Sequence, residues 1–337
     1  MTRRDVVVIG GSAGSHKPLA QTLARLPSDL PAVVLVVLHV APGARSTLAD
    51  SLARSCALPV LPAVDGTRLE PGRVHVAVPD RHLLVDDDVI RLSDGPRQNR
   101  VRPAVDALFR SAARWCGPRL VGVILSGSLD DGAAGLAAIT ATGGIALVQD
   151  PTEARFPGMP TAALRVVPDA ATLPAIDLAD AIVEVAGKPI TAGAGPPTPL
   201  VWETDMLAYG TSNTPDRGPP VVLGCPECSG GMYAVRTGRA AHYVCHVGHS
   251  YSPQSLSAVR DDSIEAAVWT AVSALQEKVM ILEELVEQAQ TAGDPTAADD
   301  FRTEAGRAAR AADGLREYVH PPPSAARTVA FRRPAGG

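Results

Sequence analysis

The chain has 337 residues, of which 46% are apolar and only 4% aromatic, so about two domains are expected, with cores of Val, Leu, Ile and Ala. The net charge of −5 argues against a general nucleic-acid binder, and no apolar run approaches the roughly 20 residues of a membrane helix, so no membrane insertion is expected. Five cysteines, an odd number, do not make a disulfide framework and fit a reducing compartment such as the cytoplasm. The charged "MTRRD" start leads into an apolar segment too short for a signal peptide.

Residues 1–187 alternate apolar runs with helical patterns. The runs Asp5–Ile9, Ala32–Leu38, Val74–Val78, Leu120–Leu125 and Ile145–Val148 are apolar throughout, as strands buried on both faces are. Helices are predicted from about Ser15 to Leu26 and over Arg102–Cys116, where Pro103 suits the first turn and Gly117 the stop. The second carries the stripe Val105, Leu108, Phe109 and Ala112. "HLLVDDDVIRL" reads as a hairpin turning at Asp86–Asp88. The alternation predicts an α/β fold with a doubly wound, mostly parallel sheet. Residues 188–220, dominated by Pro, Gly and Thr, read as a linker. A cysteine-bearing module follows over 221–257, a helical hairpin over 258–318 and a disordered tail over 319–337.

"VVVIGGSAGS" raises the first chemical question. A dinucleotide fingerprint counted from Gly10 would need glycine where Ser12 and Ser15 stand, and the pattern fails. G-x-S-x-G fits Gly10, Ser12 and Gly14, which places a serine on a sharp strand-to-helix turn, with free helix N–H groups nearby to hold an oxyanion. The bland alternative is a helix-capping serine. A nucleophilic serine needs a base and an orienting acid. His39 follows "AVVLVVL", and Asp130 and Asp131 follow "LVGVILSGSL". All three candidates thus stand beyond carboxyl ends of parallel strands, where open α/β sheets build their sites. Read singly, His39 is a satisfied polar residue and Asp131 a helix cap. The order Ser, His, Asp differs from the Ser, Asp, His of α/β-hydrolases. His16 points along its helix, and His75 and His82 read as structural.

The segments "VVIGGSAGSHKPL", "LHVAPGARSTLADSL", "GRVHVAVPDRHLLV", "RPAVDALFRSAA", "VILSGSLDDGAAGL" and "GGIALVQDPTEARFPGMPTAA" resemble, in order over about residues 4–187, the successive blocks of the catalytic domain of bacterial chemotaxis protein-glutamate methylesterases. The resemblance implies a serine hydrolase that removes γ-methyl esters from glutamates of chemoreceptors and, in many members, deamidates glutamines. Its partner would be a methylated chemoreceptor or related signalling protein, and catalysis would need no cofactor. Carried over by position, the triad is Ser12, His39 and Asp131. Asp131 is preferred to Asp130 because the family's acid directly precedes the glycine matched by Gly132. Backbone N–H groups near Ala13 and Ser128 would face the oxyanion. The chain departs from the family at Ala13, where Thr is usual, at Ser15, where a second glycine is usual, and at Gly127-Ser128-Leu129, where "GMG" is usual. The family's receiver domain does not precede these blocks, so activity without a phosphoryl switch in this chain is expected. A degenerate scaffold serving as a signalling adaptor, and an esterase of small molecules, are the alternatives.

Downstream, Cys225-x2-Cys228 is followed after sixteen residues by Cys245-x3-His249. Two thiolates on a knuckle turn and a distant pair suit tetrahedral zinc in a closed, structural site. His246 competes for the fourth place, but His249 leaves the chain more room to reach the ion. Reduced thiols without a metal are the alternative. The module is similar to zinc-ribbon extensions of some stand-alone methylesterases. Cys56 and Cys116 fall in helical patterns and are expected to be buried. In the hairpin, Ile264, Val268, Ala271, Leu275, Leu282 and Val286 form one predicted seam, and Phe301, Ala305, Ala308, Ala312 and Leu315 the other, with Asp294-Pro295 capping the second helix. The seam is expected to pack on the ribbon, with docking of a partner helix or a second copy as the alternative.

Overall fold

The first strand, β1 (Val6–Gly11), is buried at every position, because helices cover both faces of its sheet. The computed structural model describes residues 2–39, 47–190, 195–213 and 217–320. After β1 come α1 (His16–Ala24), β2 (Val33–Leu38), α2 (Leu48–Ala53), β3 (Val60–Pro62), β4 (Val74–Val76) and a hairpin of β5 (His82–Asp86) and β6 (Val89–Ser93). The alternation resumes with α3 (Val105–Cys116), β7 (Leu120–Ile124), α4 (Ala133–Ala141), β8 (Ile145–Gln149), α5 (Gly158–Val166), β9 (Ala171–Leu173) and α6 (Leu178–Val185). Seven strands pair in the order β3-β4-β2-β1-β7-β8-β9, each with parallel neighbours. The sheet is therefore the doubly wound, parallel one that the sequence predicts. The chain leaves β1 for β2 on one side and later returns to β7 on the other. The topological switch point thus lies at the carboxyl end of β1.

The alternation of side chains along β1 divides the core. Val6 and Val8 pack with Val105, Leu108 and Phe109 of α3, while Val7 and Ile9 pack with Leu19 and Leu23 of α1 and Leu178 of α6. Each fully buried aliphatic side chain contributes about 1.5–3 kcal/mol. Two strands escape the sequence pattern: β3 and β9 are three residues each and mostly uncovered, so neither forms the buried apolar run that marks β4. The helix predicted from Arg102 begins instead at Val105, with Ala104 extended before it and Pro103 outside. Cys116 ends α3 and is buried, whereas Cys56 lies beyond α2 and is half-buried.

The linker expected over 188–220 contains a further helix, α7 (Thr198–Tyr209). It buries Leu200, Trp202 and Leu207. Its Glu203 accepts from Arg110 Nη1 of α3 at 2.7 Å and pairs with His242 Nε2 at 2.8 Å. Pro and Gly on either side hid this helix, and its key buried residue is a carboxylate whose partners lie far away in the chain. The strands β10 (Pro220–Gly224), β11 (Gly231–Thr237), β12 (Ala240–Cys245) and β13 (Ser250–Tyr251) then form a separate antiparallel sheet.

Two helices close the described chain, α8 (Pro253–Thr291) and α9 (Pro295–Val319). One compact unit ends at Ser257 and the second begins at Ala258, so α8 starts within the span expected for the ribbon. In the second unit Val272, Leu282, Ala305, Ala308 and Ala312 are buried, while Ile264 and Ala271 are exposed. The seam of α8 thus runs back from Leu275 through Val272, three residues away, and not through the predicted Ala271. Lys278 Nζ meets Glu304 Oε1 at 2.6 Å across the hairpin, and Asp294 Oδ1 accepts the Ala297 N–H, as expected of a cap. The tail from 321 onward lies outside the described residues. Among the described residues no helix is long and apolar enough to cross a membrane.

Candidate active site

Strand register brings the first two candidates together. Gly11 pairs with Leu38 at the ends of β1 and β2, and the His39 N–H donates to Gly11 O. Ser12 and His39 therefore leave adjacent parallel strands at the same height, and His39 Nδ1 lies 2.9 Å from Ser12 Oγ. On the other flank of β1, the loop after β7 returns Asp131 so that its Oδ2 lies 2.7 Å from His39 Nε2. Ser12, His39 and Asp131 thus form one hydrogen-bonded chain. Asp130 is not in it, because its Oδ1 accepts the hydroxyls of Ser252 and Ser255 at 2.8 and 3.2 Å.

Glycine permits this crowding at two points. A Cβ on Gly10 would lie 2.1 Å from Val105 Cγ1, so only glycine lets the start of α3 stand against the end of β1. Gly14 has φ +76°, which glycine adopts without penalty. Ser12 is not among the residues of positive φ, so the sharp turn draws its unusual geometry from the glycine and not from the serine. The Ser12 carbonyl accepts the Ser15 N–H at 3.1 Å and also the Ser15 hydroxyl.

Asp131 is held by more than His39. Its Oδ2 accepts the Val105 N–H at 2.7 Å, and its Oδ1 accepts the Asp106 N–H and Asn99 Nδ2, both at 3.1 Å. The free amides at the start of α3 therefore end on this carboxylate. The cap alternative for Asp131 is thus half right: it caps α3, while Gly132 occupies the N-cap of α4. Burial alone would raise its pKa. Hydrogen bonding and charge from His39, with donation from Val105 and Asn99, override that and hold it below the usual carboxylate range. Asp106 goes the other way. Burial and then the charge of Asp131 push it up to about 7, against the opposing pull of Arg110 and the Gly135 N–H. Asn99 and Asp106 were not singled out from sequence. The helix was legible but starts three residues later than its pattern predicts, and nothing in the chain order says which carboxylate its amides meet.

The expected oxyanion donors Ala13 and Ser128 are exposed residues. The neighbouring Ser12 and Gly127 N–H groups are committed to Ser126 O and Phe156 O, both at 2.9 Å. Among the described residues neither the Ala13 nor the Ser128 N–H has an acceptor. Ser126 Oγ donates to Ala13 O at 2.9 Å and fixes that carbonyl. Of the remaining histidines, His16 meets Ser51 Oγ at the surface. His75 is buried in β4. His82 donates from Nε2 to Pro96 O and accepts the Ala104 N–H at Nδ1, and burial lowers its pKa to about 4.

The cysteine module gathers Cys225, Cys228, Cys245 and His249, whose ligand atoms all lie within 4.8 Å of one another. Cys228 Sγ and His249 Nδ1 each stand 3.6 Å from Cys245 Sγ. A tetrahedral ion with bonds of about 2.3 Å to sulfur and about 2.0 Å to nitrogen spaces its ligands comparably, so the donor set fits and can hold a metal ion. Glu227 Oε2 lies 3.4 Å from His249 Nε2, and Tyr251 donates to Glu227 Oε1 at 2.9 Å, an outer carboxylate of the kind that orients metal-binding histidines. His246 is outside the cluster, its ring covering Gly230, where an added Cβ would meet Cε1 at 2.2 Å.

A Ser-His-Asp relay at the switch point of a doubly wound parallel sheet defines a serine-hydrolase type of site on an α/β scaffold. The chain belongs to the CheB methylesterase family, whose model matches residues 7–182. It is 42% identical over 183 residues to the protein-glutamate methylesterase/protein-glutamine glutaminase 2 of Anaeromyxobacter dehalogenans, covering 54% of each chain. It is 40% identical over 186 residues to the corresponding protein of Symbiobacterium thermophilum, covering 55% of this chain and 51% of that one. The crystal structure of the Thermotoga maritima CheB methylesterase catalytic domain is matched over its full length and over 55% of this chain, with 31% identity and a TM-score of 0.52. The chain spans about half the length of the curated relatives it matches.

Proposed function

We propose that this chain hydrolyses γ-methyl esters of glutamate side chains on chemoreceptor-like proteins, and side-chain amides of glutamine by the same route, in the cytoplasm. The reading is carried by one observation, the continuous relay from Ser12 Oγ through His39 to Asp131. Because Nε2 faces a carboxylate held ionised, the neutral imidazole carries its proton there and leaves Nδ1 free to accept. The two nitrogens thus exchange the roles they have in trypsin-like proteases. Ser12 Oγ attacks the ester carbonyl and passes its proton to Nδ1, and Asp131 stabilises the imidazolium. The Ala13 and Ser128 N–H groups receive the oxyanion. His39 then returns the proton to the departing methoxide, which leaves as methanol and a glutamyl ester on Ser12. Water attacks that ester, giving its proton to His39, which passes it to Ser12 Oγ as the acyl–oxygen bond breaks, so that the glutamate product leaves and Ser12 and neutral His39 are restored. Ammonia leaves only if its nitrogen is protonated during departure, so deamidation asks more of His39.

The Cys225, Cys228, Cys245 and His249 set would hold Zn2+ in a closed structural site, supplying folding energy and no chemistry at the ester. Wild-type protein should carry about one equivalent of zinc, and Cys225→Ser should lose it.

Methanol and ammonia release from methylated receptor, compared between wild type and Ser12→Ala, tests the activity. A loss of about 10³-fold or more is expected for Ser12→Ala, and equal release by both proteins would sink the proposal. Binding of receptor without release would support the adaptor reading. Release from small esters but not from receptor would support a small-molecule esterase.

A further inference from the structure

The turn Gln98–Val101 closes on itself through paired backbone bonds, and its two central residues, Asn99 and Arg100, have φ of +50° and +71°. Non-glycine residues persist in that region only when their surroundings hold them there. The support here comes from the metal module. The Asn99 N–H donates to Ser250 O and its Oδ1 accepts the Ser252 N–H, both at 2.8 Å. Gln98 Nε2 donates to Gly248 O at 2.8 Å. On its other side Asn99 Nδ2 is shared between Asp106 Oδ2 at 3.0 Å and Asp131 Oδ1 at 3.1 Å. Both polar atoms of the Asn99 side chain are therefore used, Oδ1 on the module and Nδ2 on Asp131 and its neighbour Asp106.

Ser252 completes the connection. Its Oγ donates to Asp130 Oδ1, next to Asp131, while accepting the Ser255 N–H at the start of α8. One residue thus grips both neighbours of the catalytic acid, Asn99 through its backbone and Asp130 through its hydroxyl. Ser252 stands three residues beyond His249, and the turn from Cys245 to His249 is closed by backbone bonds between its ends. An ion held by Cys245 and His249 would brace that turn further, and with it the strand that holds Asn99.

We propose that Asn99 and Ser252 are positioning residues through which the occupied metal module fixes the Asp131 carboxylate against His39, so that metal occupancy sets the rate of ester hydrolysis. This rests on the esterase reading above for its kinetic consequence, but not for its structural one. Asn99→Ala should lower kcat by about ten- to a hundredfold, as removal of outer orienting groups does, with KM nearly unchanged. The structural readout is the downfield proton resonance of His39 Nε2–H, observed in the full chain without substrate. It should be present in the zinc-loaded protein, shift or broaden in Asn99→Ala, and do the same when a chelator strips the wild type. Re-added Zn2+ should restore both the resonance and kcat, which also covers the case in which a variant fails to fold. A resonance and a kcat that both survive complete metal removal would overturn the proposal, as would an unaltered resonance in folded Asn99→Ala. If the wild type shows the metal-dependent resonance but releases no methanol, the esterase reading fails and the structural coupling stands.

Discussion

Asp131 answers to three kinds of donor at once, an imidazole, a side-chain amide and two helix amides. All four of its contacts require an acceptor. In Asp131→Asn either orientation of the new amide would aim its NH2 at a donor. That variant should therefore lose about 10⁴-fold in kcat, the cost of a misdirected tautomer, and should also melt at a lower temperature than wild type. An unchanged melting temperature would show that the α3 amides do not depend on this carboxylate. Asp106, one hydrogen bond away, titrates in the opposite sense. Its folded pKa of about 7 exceeds the unfolded 3.8, so its contribution to stability is full below about pH 4 and is lost as pH rises through 7. Melting temperatures recorded between about pH 5 and 8 should fall for the wild type and stay flatter for Asp106→Asn.

At the scale of elements, α3 is the piece on which the others depend. Its first turn cradles Asp131, and its Arg110 reaches Gln98 Oε1 at 2.6 Å and Glu203 of α7 at 2.7 Å, with both members of the ion pair at most 3% exposed. Burial would raise the Glu203 pKa, yet the charges of His242 and Arg110 pull it below its usual value. Glu203→Ala strands a buried guanidinium and should cost about 3–5 kcal/mol in urea unfolding. A cost below about 1 kcal/mol, the size of an exposed pair, would mean that the pair is open to water. This is also where the sequence was least legible. The strands of the sheet announced themselves as unbroken Val and Ile runs, because burial on both faces demands that composition. A twelve-residue helix that buries Leu200, Trp202 and Leu207 beside the carboxylate Glu203, between stretches of Pro and Gly, gives no such unbroken run, so 188–220 read as a linker. Similarly, β3 and β9 are recognisable only by the neighbours they pair with.

Across the whole molecule, stability should be squeezed from both sides of neutrality. His82 is buried and neutral, with a folded pKa of about 4 against 6.5 unfolded. Its contribution is present above about pH 6.5 and is lost as pH falls through 4. Because it ties Pro96 to Ala104, just ahead of α3, acid should loosen the support of Asp131 before the sheet itself unfolds. The expected signature is loss of the His39–Asp131 proton resonance at a higher pH than loss of far-ultraviolet helical signal, and coincident transitions would refute it.

Taken alone, the amino-acid sequence determined the parallel sheet, placed Ser12, His39 and the pair Asp130 and Asp131 at its strand ends, and spaced Cys225, Cys228, Cys245 and a nearby histidine as candidate metal ligands. These follow from local composition or short spacing, which the chain records directly, whereas the choice of Asp131 over Asp130 rests on the family resemblance. Only the tertiary structure decided that the amides of α3 and the side chain of Asn99 converge on Asp131, that α7 is a helix, and that the module reaches the triad through Ser252. Those contacts join residues remote in the chain, and hydrogen bonds between such residues leave no periodicity for a sequence to show.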